Sequence, residues 1–253
     1  MTLVAAFRCR EGGILLCADR EETEGDFKRP VDKIYHMSFP QCQVFIAGSG
    51  NASVISKACQ AIHLGLWEGG KRDESLTEHV TLIEAALHSV YEKYVFTQQN
   101  YPVYQIGLLI VFAPRSRDCN PILYKTDDAM LVSEHYYAAK GAGDVIANYL
   151  ADRLYKHGMS RSALAVLAAF IFRESENSTV GVGSGTEMQF IDDGEKSVQN
   201  VGWDDAEDLK STIPALGEAI HEYWSKHPTA PEKLVKFLDA PRPSNSQKLG
   251  GQQ

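Results

Sequence analysis

Apolar positions fall in short dense blocks over the first fifty residues and at helical spacing over much of the next fifty. TLVAAFRC and ILLCAD, separated by Arg10-Glu11-Gly12-Gly13, read as two strands joined by a tight turn. Further strands are predicted at Lys33–Met37 and Gln43–Ala47, the latter ending in Gly48-Ser49-Gly50. The period then changes. Ala52–Trp67 and Leu76–Phe96 carry apolar residues at the spacing of one helix face, with Ser75 or Asp73 placed to cap the second. Strands resume at Tyr104–Phe112, Ile122–Thr126 and Ala129–Val132, helices at Asp144–His157 and Ser160–Arg173, and a strand at Glu187–Ile191 closes the regular part. Beyond Gly194 the pattern predicts a helix near Ala206–Lys226, a short one at Pro231–Leu238 and a disordered tail.

Strands, two helices, strands, two helices, strand is the order of segregated layers. It predicts an α+β class with helices outside two stacked sheets, rather than an alternating parallel array. The chain of 253 residues is long enough for one sizeable core. We read one domain over 1–194, a helical extension of it over 195–240, and a disordered tail over 241–253. No stretch approaches the ~18 consecutive apolar residues of a membrane span, so a soluble protein is expected. The net charge of -8 argues against a nucleic-acid surface, which needs clustered Lys and Arg. Five scattered cysteines without CxxC or Cys/His spacing indicate a reducing cytoplasm and no metal.

Familiar catalytic signatures are missing: GxSxG, a P-loop and HExxH do not occur. GVGSG at Gly181–Gly185 has the composition of a phosphate loop but precedes a predicted strand instead of opening a helix. What remains is the front of the chain. Methionine before a small residue is generally removed, which would leave Thr2 carrying a free α-amine beside its hydroxyl. Such an amine, with a pKa of about 7.7–8.0, is far better matched to neutral pH than a lysine at about 10.4.

The motifs Thr2-Leu3-Val4, Glu11-Gly12, Cys17-Ala18-Asp19, Thr23-Glu24-Gly25, Asp32-Lys33-Ile34, Ile46-Ala47-Gly48-Ser49-Gly50 and AKGAG at Ala139–Gly143 follow one another in a recognisable order. In that order and at nearly that spacing they resemble the proteasome β-subunit family of N-terminal nucleophile hydrolases, from Thr2 to about Ile191. The resemblance implies a four-layer αββα sandwich. It implies Thr2 as nucleophile, Asp19 and Lys33 as its charged partners, and the Gly48 backbone N–H as an oxyanion-hole donor, with no cofactor. Such roles are chemically coherent, since a fixed cation beside an amine disfavours its protonation and stabilises a developing alkoxide.

The same resemblance implies a threonine-type peptidase acting on peptides or unfolded proteins, assembled as a homo-oligomeric ring with its sites facing an inner chamber. Four departures are visible. Ala142 occupies a glycine-bounded position where the family usually has Ser; Asn177-Ser178-Thr179-Val180-Gly181 replaces an Asp followed by Ser-Gly; Glu21 stands where arginine is common; and the Gly12–Asp19 segment is one residue longer than usual. Asn177, Ser178 and Ser184 are the candidate substitutes for orienting the amine. These departures keep two other readings open, a ring-forming scaffold without chemistry and a small-molecule amidase. A register that starts the strand at Met1 would make Thr2 an ordinary strand residue; the alternation Phe7-Arg8-Cys9 before Arg10-Glu11-Gly12 fits better with Thr2 first.

Overall fold

A computed structural model describes residues 2–10, 12–24, 27–69, 76–97, 105–115, 119–192, 198–202 and 205–212. The chain divides into two compact units, Met1–Lys210 and Ser211–Gln253, and every element named below belongs to the first. The Ser75 or Asp73 cap, the short helix at Pro231–Leu238 and the tail over 241–253 lie outside the described residues, as does most of the 195–240 extension.

Among the described residues twelve strands form three antiparallel sheets, and the class is α+β as expected. The first sheet has the order β10-β1-β2-β11-β12, with β1 Leu3–Arg8, β2 Ile14–Asp19, β10 Tyr137–Gly141, β11 Thr186–Ile191 and β12 Val198–Val201. The second runs β5-β6-β7-β8-β9, with β5 Ile34–Ser38, β6 Cys42–Gly50, β7 Ile106–Pro114, β8 Ile122–Asp127 and β9 Met130–Glu134. Between them in sequence, β3 Glu21–Glu24 and β4 Phe27–Pro30 make a two-stranded hairpin.

The central strands of the large sheets read as continuous apolar runs because neither face meets solvent. On one face, Val4, Ala6, Ile14, Leu16 and Ala18 of the first sheet share a buried cluster with Phe45, Ala47, Leu109 and Val111 of the second. On the outer face of the second sheet, Val44, Ile46, Leu108 and Ile110 pack with Val54, Ile55, Ile62, Ile83 and Leu87 from the helices α1 Ala52–Gly69 and α2 Leu76–Val90. Helices α3 Asp144–Leu154 and α4 Arg161–Ser178 pack on the first sheet, α3 on β1 and β10, α4 on β1, β2 and β11.

Several boundaries differ from the sequence expectation for physical reasons. The helix expected through Phe96 changes at Tyr91–Val95 into one π-helical turn, which carries the fully buried Tyr91 so that its hydroxyl donates to the Ile106 carbonyl at 2.8 Å. Helix α3 stops at Leu154 where Tyr155 turns extended, and α4 runs on past Arg173 to Ser178. The regular part does not close at Ile191, because β12 adds a mostly polar, exposed edge strand to β11. No described helix is long and apolar enough to cross a membrane.

Ser160 caps α4, its side chain accepting from the Ala163 N–H at 3.3 Å. Ser160→Ala is expected to lower the free energy of unfolding by about 1 kcal/mol, read as an earlier urea midpoint with unchanged slope.

Candidate active site

The front of the chain enters the first sheet between β10 and β2, pairing Leu3 with Gly141 and Val4 with Ala18. Thr2 lies just before this ladder and is held to it by the main chain, its carbonyl accepting from the Ala142 N–H at 3.0 Å. Asp19 ends β2, and its carboxylate reaches back to accept from the Leu3 N–H at 2.6 Å. Lys33 comes from the connection into β5, and its ammonium converges on the same point, donating to Thr2 Oγ1 at 2.8 Å, to Asp19 Oδ1, and to the Glu21 carbonyl at 2.5 Å. Thr2, Asp19 and Lys33 are 7%, 0% and 8% exposed, so the three predicted side chains meet out of bulk water.

Burial is also the main influence on Asp19. It raises the carboxyl above its ordinary value; the Lys33 ammonium and the N–H groups of Leu3 and Gly183 oppose the rise and only partly cancel it. The ion pair is therefore a means of keeping a cation fixed beside the Thr2 hydroxyl rather than a source of net stability.

Gly48 is placed by register. Ile34 pairs with Ala47, so Lys33 and Gly48 are the next residues outward at that end of the β5–β6 ladder. A Cβ on Gly48 would fall 2.7 Å from Ile55 Cγ2, so the position is closed to a side chain by helix α1. Its neighbour Ser49 donates its hydroxyl to the Gly107 carbonyl at 3.2 Å.

Among the residues named as substitute orienters of the amine, Ser184 is committed elsewhere, donating to Glu21 Oε2 at 3.3 Å, and Ser178 ends α4. Ala142 offers Thr2 a main-chain N–H only. Glu21 packs its stem over Gly183, where a Cβ would overlap the Glu21 Cβ. This gives the middle glycine of GVGSG a steric reason. The sequence assigns no individual role to two further residues. Gly141, with φ of 115°, lets the chain turn against the Thr2 carbonyl. Ser175 is fully buried in α4 with its Cβ 3.1 Å from where a Cβ on Gly143 would stand, and its hydroxyl has no partner among the described residues. Gly141 belongs to the AKGAG motif, but nothing in that string marks which glycine turns against Thr2, and a serine inside an apolar helix reads as filler. Among the described residues no group of three or more His, Cys, Asp or Glu is arranged to hold a metal.

No protein-family model and no curated protein sequence matches the chain. Solved structures do. Anbu from Hyphomicrobium sp. strain MC1 superposes with a TM-score of 0.69 at 15% identity, over 88% of this chain and 97% of that one. Anbu from Yersinia bercovieri, described as the ancestral β-subunit, gives 0.70 at 13% identity over 98% and 100% of the two chains. The fold is that of Anbu. A third Anbu, from Pseudomonas aeruginosa and solved as a helical assembly of the Anbu complex, gives 0.64 at 13% identity over 97% of this chain and 100% of that one. At such identities the likeness to Anbu is one of fold, and it agrees with the proteasome β-subunit resemblance carried by the short motifs.

Proposed function

We propose that the chain, once Met1 is removed, is a threonine-type peptidase of the proteasome β-subunit kind. The observation that carries this reading is the Lys33 ammonium, buried and countered by Asp19, donating to Thr2 Oγ1 at 2.8 Å. Thr2 Oγ attacks the carbonyl carbon of a peptide bond while its proton passes to the free α-amine of the same residue. The fixed charge of Lys33 stabilises the alkoxide character of the hydroxyl, and the Gly48 N–H receives the oxyanion, a contribution on the order of 3 kcal/mol. As the tetrahedral intermediate collapses, the C–N bond breaks and the amine's proton goes to the leaving nitrogen, leaving an ester on Thr2. Water then attacks the ester, giving its proton to the amine; the acyl C–Oγ bond breaks, the amine passes that proton to Thr2 Oγ, and the acid departs. Burial of the site raises the strength of each of these electrostatic interactions.

Two finer points belong to the same reading. The layers are ordered helix, sheet, sheet, helix, supported by the apolar cluster between the two large sheets and the helix pair on the second sheet's outer face. The chain works as a homo-oligomeric ring in the cytoplasm on peptides or unfolded proteins, supported by the fold it shares with a chain described as an ancestral β-subunit and by free cysteines.

Ala142 is the observation that favours a second reading, a ring-forming scaffold without chemistry, because a side chain that would orient the amine is replaced by a methyl group. One experiment separates the two. The purified protein is expected to have the intact mass of a chain starting at Thr2, to form a one-to-one adduct at Thr2 with a peptide electrophile that captures hydroxyl and α-amine together, and to cleave a fluorogenic peptide. Thr2→Ala should abolish both adduct and cleavage while eluting at the same oligomer size. Retained Met1, or cleavage surviving in Thr2→Ala, overturns the peptidase assignment.

A further inference from the structure

Lys33 reaches Thr2 through a side chain with four rotatable bonds, so the accuracy of its ammonium depends on where its main chain is fixed. That main chain lies outside any ladder, since β4 ends at Pro30 and β5 begins at Ile34. Its N–H groups must then find partners elsewhere. Val31 N–H donates to the Arg20 carbonyl at 2.7 Å, and the Asp32 carboxylate accepts from the Arg20 guanidinium at 2.8 Å. The decisive contact comes from the other side. Glu187, half-buried on β11 opposite Ala18, accepts the Lys33 N–H on Oε2 at 3.1 Å, and the Ile34 N–H also bonds to its carboxylate.

Its second oxygen is occupied too, Oε1 accepting from the Gln189 side-chain amide at 2.9 Å. With Oε2 engaged by the main chain and Oε1 by the Gln189 amide, the carboxylate is held from both ends as a clamp on the Lys33 main chain. A glutamate needs a reason to be half-buried here: burial is the leading cause that pushes its carboxyl up, the neighbouring Asp32 adds to the rise, and the Lys33 and Ile34 N–H groups are among the contacts that hold it down.

We propose that Glu187 is a positioning residue of the Thr2 site, fixing the main chain at Lys33 and Ile34 so that the Lys33 ammonium meets Thr2 Oγ1. The inference rests on the peptidase reading and adds a residue to it. It also assigns β11 a role in aligning the site across β2, since the nucleophile sits on the far side of that strand from Glu187.

The test compares wild type, Glu187→Ala and Glu187→Gln by hydrogen exchange at the Lys33 and Ile34 amides and by steady-state peptide cleavage. Glutamine keeps an acceptor oxygen for the two N–H groups, and Gln189 can present its own oxygen to the new amide. Glu187→Ala is expected to speed exchange at both amides and to lower kcat on the order of 100-fold with KM unchanged, as misplacement of a catalytic group does. Glu187→Gln should restore slow exchange and a kcat within the wild-type order of magnitude. Should Glu187→Ala fail to fold, Gln189→Ala, which releases Oε1 alone, gives the same signs at smaller size. Unchanged exchange in the alanine variant, faster exchange with unaltered kcat, or a loss confined to KM each overturns the role of Glu187. The exchange arm reads the Lys33 main chain whether or not peptides are cut, whereas absence of cleavage by the wild type counts against Thr2 as nucleophile.

Discussion

Lys33→Met is expected to eliminate adduct formation at Thr2 and, at neutral pH, to lower the free energy of unfolding by about 3–5 kcal/mol, because it leaves the Asp19 carboxylate buried without its cation. The pH dependence of that loss has a determined sign. Asp19 already titrates above its ordinary 3.8, burial being the leading cause and Lys33 the largest opposing one. Removing Lys33 raises the carboxyl further. A carboxyl whose folded pKa exceeds its unfolded one binds its proton more tightly in the folded state, so its contribution is fully present below the unfolded value and lost as pH rises through the folded one. The gap in stability between Lys33→Met and wild type should therefore narrow as the solution is acidified from neutrality. Urea unfolding at a series of pH values measures it. The double variant Asp19→Asn/Lys33→Met removes both charges, lets the asparagine oxygen still accept from the Leu3 N–H, and should recover most of the stability with none of the reactivity. A double variant as unstable as the single one would show that the loss came from packing and not from the orphaned charge.

That separation between stability and chemistry also explains which parts of the molecule were legible in advance. Periodicity located β1, β2, β6, β7 and all four long helices because each buries an apolar face or run against a neighbour, which is what hydrophobic patterning records. It missed β3, β4 and β12, whose sequences EETE, FKRP and VQNV lack an apolar alternation. It also missed β10, YAAKG, a short edge strand whose alanines carry little signal. At the site, Thr2, Asp19 and Lys33 were named from ordered motifs, and the structure brings their side chains together. Glu187 was passed over for a reason that follows from its work. It acts through main-chain N–H groups far away in sequence, that of Lys33 being 154 residues distant, and nothing in the local string EMQF announces a long-range clamp. The substitutes named for the missing family serine fared differently, Ser184 being drawn to Glu21, a residue that is itself a departure from the family.

Gly141→Ala is expected to abolish adduct formation at Thr2 more completely than its size suggests. Its φ of 115° is a conformation that residues with a Cβ rarely adopt, so alanine there is strained whatever the space. The space is also taken. A Cβ would overlap the Thr2 carbonyl oxygen and stand 3.0 Å from both the Thr2 carbonyl carbon and the Ser49 Cβ. Two of these three obstacles are backbone, which no rotamer change moves, and the backbone in question is that of the nucleophile. Relief requires shifting Thr2 off β10, which breaks the Ala142 N–H bond to its carbonyl and withdraws Oγ1 from the Lys33 ammonium. Gly158 supplies the internal comparison, since its φ is 88° but a Cβ there would meet nothing within 4 Å. Gly158→Ala should therefore show the conformational cost alone, about 1–3 kcal/mol of stability with reactivity retained. Gly141→Ala should show that cost together with loss of the adduct. Parallel adduct mass measurements and urea midpoints on the two variants decide the matter. Equal reactivity in both would mean that the close approach of the Gly141 turn does not position Thr2.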